Sequence, residues 1–270
     1  MAVTNFIQQI WSKKIQDDLE LKCKLVDNCL RDYEGDVKHA ASVKILGVGE
    51  PTIGDYDSTK DISIEEMSDR GQVLTIDQAK YFAFYVDDVN QAQSVPGLKE
   101  KYQEKAVHGL AVARDTYIAN LIKGVTSNVT TAAGLSAEAV KAAIDEAIVA
   151  LRERNFDEPG VIEITPAVYN LFKNHLITLS TNNPEYIKKG IVGVYDDFDV
   201  VMSNNMAKDA SHAYCDIRGK KAIAFAGQIN EVEALRAEKR FKDIIRGRDT
   251  YGAKVIDEAR IQVIKIPLTA

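Results

Sequence analysis

The residues of this chain whose types and positions could do chemistry are two pairs of adjacent carboxylates. Asp87-Asp88 and Asp196-Asp197 carry the groups that general acid–base catalysis uses. Adjacent side chains on a strand point to opposite faces of a sheet, so neither pair can converge on one substrate atom. We therefore interpret both pairs as solvated turn carboxylates and predict no catalytic residues.

A cluster of glycines could cradle a phosphate if it opened a nucleotide-binding loop. Gly47 and Gly49 have the first spacing of a GxGxxG motif, but Thr52 occupies the third glycine position. No Lys-Ser or Lys-Thr follows Gly54, as a P-loop would require. We interpret these residues as turn glycines and predict no bound cofactor.

The histidines and cysteines do not show the spacing of metal ligands. No HExxH, HxH or CxxC pattern occurs among them. The sequence therefore predicts no metal site and no structural disulfide. The residues concerned are His39, His108, His175, His212, Cys23, Cys29 and Cys215.

Composition sets the class of protein. The 270 residues can bury a sizeable core, and the net charge of −6 argues against a dedicated nucleic-acid binder. No apolar run approaches the roughly 18 residues of a membrane-spanning helix. Residues 1–11 lack a basic start followed by an apolar block, so we expect no signal peptide.

The first third of the chain is predicted to contain a helical arm followed by strands. A helical arm is expected over residues 4–32, followed by strands between residues 43 and 86. Residues 61–67 and 72–77 are predicted to form a hairpin around a Ser-Asp-Arg-Gly turn. Tyr81–Val86 is apolar on both faces, so we expect that strand to be buried on both sides.

A long helix is predicted over residues 98–123. Its apolar stripe has steps of three and four residues, and Gly124 is a plausible C-cap. An isolated hairpin is marginal in water, and this helix has no obvious partner nearby in sequence. A hairpin excursion beside a long helix is typical of a subunit whose arms are buried by its neighbours. The stripe consists of Leu98, Tyr102, Ala106, Leu110, Ala113, Tyr117 and Leu121.

The second half alternates helices and strands, which indicates an α/β domain. Ser136 is predicted to cap a helix over 137–154, and Pro166 to begin another over 166–174. Strands are predicted at 161–164, 191–195, 198–202 and 223–225, and the segment from Glu231 to Pro267 is expected to be rich in strands.

In this order, the elements resemble the major capsid proteins of tailed bacteriophages with the Hong Kong-phage-type coat fold, which encapsulins share. The most specific piece is a Gly-x-x-Gly…Phe-x-Val…Ser-Asn-Asn run over residues 190–205. The other matching pieces are Trp11-Ser12, residues 44–80, the Phe82–Asp88 strand, the helix 98–123, residues 147–172 and the Arg248–Val255 segment.

The resemblance implies an α+β fold and a division of the chain. We expect an N-terminal arm (1–36), an extended β-hairpin loop with its base (37–80) and a peripheral domain with a long spine helix (81–130). An α/β axial domain (131–236) and a return to the peripheral domain (237–270) complete the expected division.

It also implies a structural function and no enzyme activity. Copies of the chain are expected to assemble as hexamers and pentamers into an icosahedral shell that encloses double-stranded DNA. The expected partners are the chain itself, a scaffolding protein and a portal, with weak, non-specific contact to DNA and none to a membrane. The expected location is the virion capsid, assembled in the host cytoplasm. We expect contacts between subunits at Trp11, Ile62, Ile64, Arg70, Val73 and Ile76.

Two alternatives remain open from the sequence. An encapsulin-type shell protein would assemble without a scaffold and hold a cargo peptide inside. An unrelated α/β enzyme or ligand-binding protein would need a pocket with convergent polar groups, and the sequence nominates none.

Overall fold

The described part of the chain contains three α-helices and three sheets. A computed structural model describes residues 23–33, 42–45, 71–87, 98–179, 193–236 and 242–268. The helices are α1 (Leu98–Lys123), α2 (Ala137–Arg152) and α3 (Pro166–Leu179). The strands are β1 (Ser42–Ile45), β2 (Gln72–Thr75), β3 (Gln78–Asp87), β4 (Val129–Thr131), β5 (Gly160–Ile164), β6 (Val194–Tyr195), β7 (Phe198–Met202), β8 (His212–Gly219), β9 (Ile223–Arg236), β10 (Lys242–Val255) and β11 (Ile261–Pro267).

The helix ends follow local chemistry. Helix α1 has the predicted bounds, and the N–H of Gly124 donates to the carbonyls of Asn120 and Leu121 at its end. Ser136 caps α2 as predicted, since its hydroxyl accepts from the N–H of Ala139 at 3.1 Å. Pro166 begins α3, which runs five residues beyond the predicted end at 174, to Leu179.

Strands β1 and β2 form a two-stranded ribbon, and the other described strands form two larger sheets. A three-stranded antiparallel sheet has the order β3-β10-β9. A six-stranded mixed sheet has the order β4-β11-β8-β5-β7-β6. Residues 223–236 therefore belong to the same sheet as β3 and β10, and residues 261–267 belong to the six-stranded sheet.

Two large apolar clusters hold the molecule together. One cluster lies between α1, the N-terminal segment 23–29 and both sheets, around Ile118, Ile122 and Phe225. The other cluster lies between the opposite face of the six-stranded sheet and the helices α2 and α3, around Ile144, Phe172 and Ile217. The six-stranded sheet is thus covered on both faces, which is why all five residues of β5 are buried.

The start of the described chain differs from the predicted helix over 4–32. Residues 23–33 contain one 3-10 turn, Val26–Asn28, and no α-helix. Leu30 then forms a parallel bridge to Ala224 of β9. Residues 1–22 lie outside the described part of the chain. The prediction is wrong for 23–33, because this stretch makes its hydrogen bonds with the side chains of other elements rather than along a helix.

The second strand of the expected hairpin is described, and its first strand is not. Strand β2 pairs antiparallel with β1, with Ile45 opposite Gln72. The predicted partner, 61–67, lies outside the described residues. Because Ile45 and Gln72 are adjacent, the chain between them begins and ends side by side.

Burial corrects two expectations about faces. Tyr81 and Tyr85 are 81% and 67% exposed, so β3 is covered on one side, the side of Phe82 and Phe84, and not on both. On α1, Leu110 is buried as predicted, but Tyr102 is 51% exposed. The buried face of α1 is rotated from the predicted stripe and consists of Val107, Leu110, Ala111, Arg114, Asp115, Ile118, Ala119 and Ile122.

None of the described helices is long and apolar enough to cross a membrane.

Candidate assembly surfaces and the arm root

The β1–β2 ribbon is seated on the three-stranded sheet, on the face away from α1. Val43, Ile45 and Leu74 pack on Ala224 and Ala226 of β9. A two-stranded ribbon is marginal alone, and this packing supplies the burial it needs. The two strands of the ribbon flank residues 46–70, which lie outside the described residues.

Polar contacts and one glycine fix the ribbon in place. The side-chain amide of Gln72 donates to the carbonyl of Ile256 at 2.9 Å, and Nζ of Lys254 donates to the carbonyl of Val73 at 3.1 Å. A Cβ atom built on Gly252 would lie 2.1 Å from the carbonyl oxygen of Thr75. Position 252 must therefore be glycine for β2 to cross β10 this closely.

The predicted contact residues fall into two groups. Val73 is 48% exposed on the ribbon, so it is available to a neighbouring chain. Ile76 is half-buried against the ribbon's own apolar cluster. Trp11, Ile62, Ile64 and Arg70 lie outside the described residues.

An exposed apolar patch continues along the same face of the sheet. We call it the tyrosine face and define it as Tyr81 and Tyr85 of β3, Ile244 of β10 and Leu235 of β9. Ile244 lies opposite both Tyr85 and Leu235 in the strand register, so the three side chains form one row across the sheet. Leu235 is 41% exposed and Ile244 is half-buried. Large aromatic side chains in such positions are typical of surfaces that bind another protein.

The backbone of residues 24–26 is held by a carboxylate of the long helix. Asp115 of α1 accepts hydrogen bonds from the backbone N–H groups of Lys24, Leu25 and Val26 at 3.1 to 3.4 Å. The side-chain amide of Asn205 donates to the same carboxylate at 3.3 Å. Burial raises the pKa of Asp115, and these donors oppose that rise because they stabilise the charged form.

Arg218 of β8 holds the other side of the same segment. Its Nη1 donates to the carbonyl of Asn28 at 2.6 Å, and its Nη2 donates to the carbonyl of Leu25 at 3.0 Å. We call residues 24–28 the arm root. Asp115 takes the N–H groups of the arm root and Arg218 takes its carbonyls, so charged side chains from two elements fix its backbone. Sequence reasoning missed both residues; the available signal was charge in otherwise apolar buried elements.

Arg218 is itself part of a fully buried ionic group. Its Nη2 lies 2.9 and 3.1 Å from the two carboxylate oxygens of Glu163 on β5. Its Nε lies 3.1 Å from Oδ2 of Asp216, without hydrogen-bond geometry. All three side chains are fully buried. The opposing carboxylates hold the pKa of Arg218 above its usual value despite the burial, so the guanidinium stays charged.

Of the two acid pairs singled out by sequence, the structure describes the side chains of Asp196 and Asp197. Asp196 and Asp197 form the turn between β6 and β7, with φ of 49° and 68°. The Asp197 side chain is 89% exposed and lies 3.8 Å from Arg152. This is the solvated turn that the sequence predicted. Asp87 is a strand residue whose side chain, like Asp88, lies outside what the structure describes.

Side chains of metal-ligand types and thiols occur among the described residues. No cluster of three or more His, Cys, Asp or Glu side chains that could hold a metal ion occurs among them. Cys23, Cys29 and Cys215 are free and buried, and burial raises their thiol pKa values to about 12, 11 and 12. A thiol with such a pKa is neutral at physiological pH and is a poor nucleophile.

Comparison with known proteins finds similarity to phage capsid proteins. The family model described as "Phage capsid protein" matches residues 71–264. A solved structure from Mycobacterium phage Che8 is 26% identical, with a TM-score of 0.73 and 90% of each chain covered. The capsid of cyanophage P-SCSP1u is 14% identical, with a TM-score of 0.71 over 90% of this chain and 86% of that one.

A third similar structure is a virus-like particle from Pyrococcus furiosus. It is 11% identical, with a TM-score of 0.59, and the likeness covers 96% of this chain and 99% of that chain. At this identity the likeness concerns the fold alone. No curated protein matches the sequence.

Proposed function

The chain belongs to the family of phage capsid proteins, and we propose that it is the major capsid protein of a tailed bacteriophage. Its copies assemble as hexamers and pentamers into an icosahedral shell that encloses the double-stranded DNA genome. The observation that carries this proposal is the seated β1–β2 ribbon beside the exposed tyrosine face. The ribbon presents a loop base at the sheet surface, and the patch next to it has no cover among the described residues of its own chain.

Each of the expected domains is proposed to have its own role in the shell. The arm (1–36) and the extended loop (37–80) serve neighbouring subunits, while 81–130 and 237–270 form the peripheral domain and 131–236 the axial domain. Contacts repeated around rings of copies close the shell, and each contact is stabilised by mass action on assembly. Trp11, Ile62, Ile64, Arg70, Val73 and Ile76 are the proposed contact residues.

The proposed partners are the chain itself, a scaffolding protein and a portal. The net charge of −6 favours only weak, non-specific contact with the packaged DNA. The proposed location is the virion capsid, with assembly in the host cytoplasm. A structural protein of this kind acts by binding copies of itself, and we propose no catalytic residue and no cofactor.

Electron microscopy of the purified chain tests the proposal. Expressed with neighbouring phage genes, the protein is expected to give shells, or hexameric and pentameric rings. A monomer under every condition would contradict the capsid proposal. Efficient shells from the chain alone, with a cargo protein inside, would favour the encapsulin-type alternative instead.

A loop deletion tests the role of the extended loop separately. Deleting residues 55–71 is expected to leave a folded, soluble subunit but to block shell formation, because the loop serves neighbours. Normal shells from this deletion would show that the loop assignment is wrong. Circular dichroism of the unassembled deletion variant is the control for folding.

A further inference from the structure

A pair of buried carboxyl groups lies beneath the arm root, and shell assembly as proposed above makes no use of it. Glu163 of β5 and Asp216 of β8 are directly opposite in the antiparallel register, so their side chains lie on the same face of the sheet. Both are fully buried, and Arg218 is the guanidinium bound to them.

The hydrogen bonds of the two carboxyl groups are unequal. Glu163 accepts from Nη2 of Arg218 and from the side-chain amide of Asn28, at 2.8 Å for the amide. Neither oxygen of Asp216 has a hydrogen-bond partner among the described residues. Glu163 therefore has the hydrogen-bond donors that an ionised carboxylate needs, whereas Asp216 has none among the described residues.

One proton on the pair resolves this imbalance. Two carboxylates and one guanidinium would leave a net negative charge in a site without water access, which is costly. A protonated Asp216 can donate its O–H to the facing Glu163 and leaves the group electrically neutral. Burial, and then the charge of Glu163, raise the pKa of Asp216 well above its usual range.

Among the described residues, Arg218 supplies positive charge to the pair, and the other elements packed there contribute different groups. The arm root and the residue after it contribute the amide of Asn28 and the thiol of Cys29, whose pKa burial raises to about 11. Helix α1 contributes the negative charge of Asp115, which acts on Glu163. Strand β11 places the apolar Val263 opposite Asp216.

Arg218 and Asn28 link the carboxyl pair to the arm root through hydrogen bonds. Arg218 donates to the carbonyls of Leu25 and Asn28, and Asn28 donates back to Glu163. Ionisation of Asp216 adds a second carboxylate that competes for the same guanidinium. Since the guanidinium has a fixed set of N–H groups, turning towards Asp216 weakens its bonds to the arm root.

We propose that Glu163 and Asp216 form a proton-dependent latch that holds the arm root on the six-stranded sheet. With one proton on the pair the latch is closed. Loss of that proton at alkaline pH opens the latch and frees residues 24–28, while the sheet itself stays folded. A group whose folded-state pKa is raised stabilises the fold at low pH, and this stabilisation is lost as the pH rises through that pKa.

The reactivity of the three cysteines can measure exposure of the arm root and of the six-stranded sheet in one experiment. Cys23 and Cys29 are 3% and 5% exposed on either side of the arm root, whereas Cys215 is fully buried on the other face of the sheet. We would measure alkylation of each thiol in the full chain by mass spectrometry at about pH 7 and about pH 9.5. Each rate is divided by that of the urea-unfolded chain at the same pH, which removes the effect of thiolate formation.

The expected result is specific to the arm root. In the wild type, the corrected rates of Cys23 and Cys29 rise by about tenfold or more between the two pH values, while Cys215 stays protected. Asp216→Asn keeps the shape of the side chain but cannot ionise, so the rise is abolished. Glu158→Gln, which removes an exposed carboxylate just before β5, retains the rise.

A second variant keeps the proposal testable if Asp216→Asn fails to fold. In Glu163→Gln, Asp216 becomes the sole carboxylate bound to Arg218 and ionises at lower pH, so the alkaline rise is again abolished. A rise of wild-type size in both variants would overturn the latch, and so would Cys215 losing protection together with Cys29. The measurement uses dispersed subunits, so a failure to form shells leaves its outcome intact.

Discussion

Arg114 of α1 and Asp249 of β10 form a fully buried, bidentate ion pair between the long helix and the three-stranded sheet. Nε of Arg114 donates to Oδ2 of Asp249 at 2.8 Å, and Nη2 donates to Oδ1 at 2.5 Å. The guanidinium also lies 5.5 Å from the ring centre of Phe225 and 5.8 Å from that of Tyr251. Such a pair fixes the position of the helix along the sheet, because two parallel hydrogen bonds allow only one geometry.

Removing one partner of this pair is expected to be costly. Arg114→Met leaves the carboxylate of Asp249 buried without its cation, and we expect a loss of about 3 to 5 kcal/mol in the free energy of unfolding. Urea denaturation measures it. The double variant Arg114→Met with Asp249→Leu is expected to recover part of the loss, since it buries no unpaired charge. A loss below about 1 kcal/mol for the single variant would show that the pair is solvated.

Gly252 of β10 is expected to be sensitive to substitution, because strand β2 of the ribbon lies directly against it. Gly252→Ala places a methyl group against the carbonyl of Thr75, so the β1–β2 ribbon must shift, at a cost of about 1 to 3 kcal/mol. Gly109→Ala is the matched control, because nothing lies within 4 Å of its added Cβ. Since Gly109 lies inside α1, that control is expected to stabilise the protein by about 0.5 to 1 kcal/mol. Thermal unfolding of both variants compares them, and equal effects would contradict the close crossing.

The sequence predicted the elements with strong local signals. The bounds of α1 and the cap of α2 at Ser136 are confirmed, because a C-terminal glycine and an N-cap serine act within a few residues of chain. The turn at Asp196-Asp197 is confirmed for the same reason. The α+β class was implied by the resemblance that the order of these elements carries.

The faces of the elements were harder to predict, because polar residues are buried. Arg114 and Asp115 lie in the centre of the buried face of α1, so a search for apolar spacing found a rotated stripe instead. Glu163, Asp216 and Arg218 are likewise hidden in apolar strands. Their partners come from distant parts of the chain, and sequence spacing carries no record of that pairing. Tyr81 and Tyr85 have apolar character, but the fold leaves their side of β3 open.

The buried face of α1 can be tested with two carboxylates placed two residues apart. Leu110 is 5% exposed, so Leu110→Asp buries an unpaired charge and is expected to abolish soluble protein. His108→Asp adds the same group on the exposed side of the helix and is expected to change stability by less than about 0.5 kcal/mol. Soluble yield and thermal unfolding give the comparison. A soluble, cooperative Leu110→Asp variant would show that the helix face is wrong.

Acid sensitivity is expected at the turn before β8. Asp209 accepts hydrogen bonds from the N–H groups of Ser211 and His212 and from the hydroxyl of Tyr214, which lower its pKa to about 2. A group with a lowered folded-state pKa stabilises the fold above its unfolded pKa, and this stabilisation is lost as the pH falls through about 2.

Asp209→Asn is therefore expected to lower the thermal midpoint at about pH 6, with a gap to the wild type that shrinks as the pH approaches about 2. Asp157→Asn, which changes an exposed carboxylate, is the control and is expected to show no such gap. Calorimetry at a series of pH values measures the midpoints. A gap that stays constant with pH would exclude the ionised Asp209 as its cause.

The tyrosine face gives the sharpest separation between folding and assembly. Tyr81 and Tyr85 are exposed in the single chain, so replacing both with Ser removes little burial and is expected to change the unfolding free energy by less than about 0.5 kcal/mol. If neighbouring copies cover this face, the same double variant loses aromatic contact area at every copy of the interface, and shell yield is expected to fall strongly. Lys80→Ser changes an exposed residue of the same strand and is expected to leave the yield unchanged. Sedimentation of the assembly products with a parallel unfolding curve distinguishes the cases: wild-type shell yield from the double variant would place the subunit interface elsewhere.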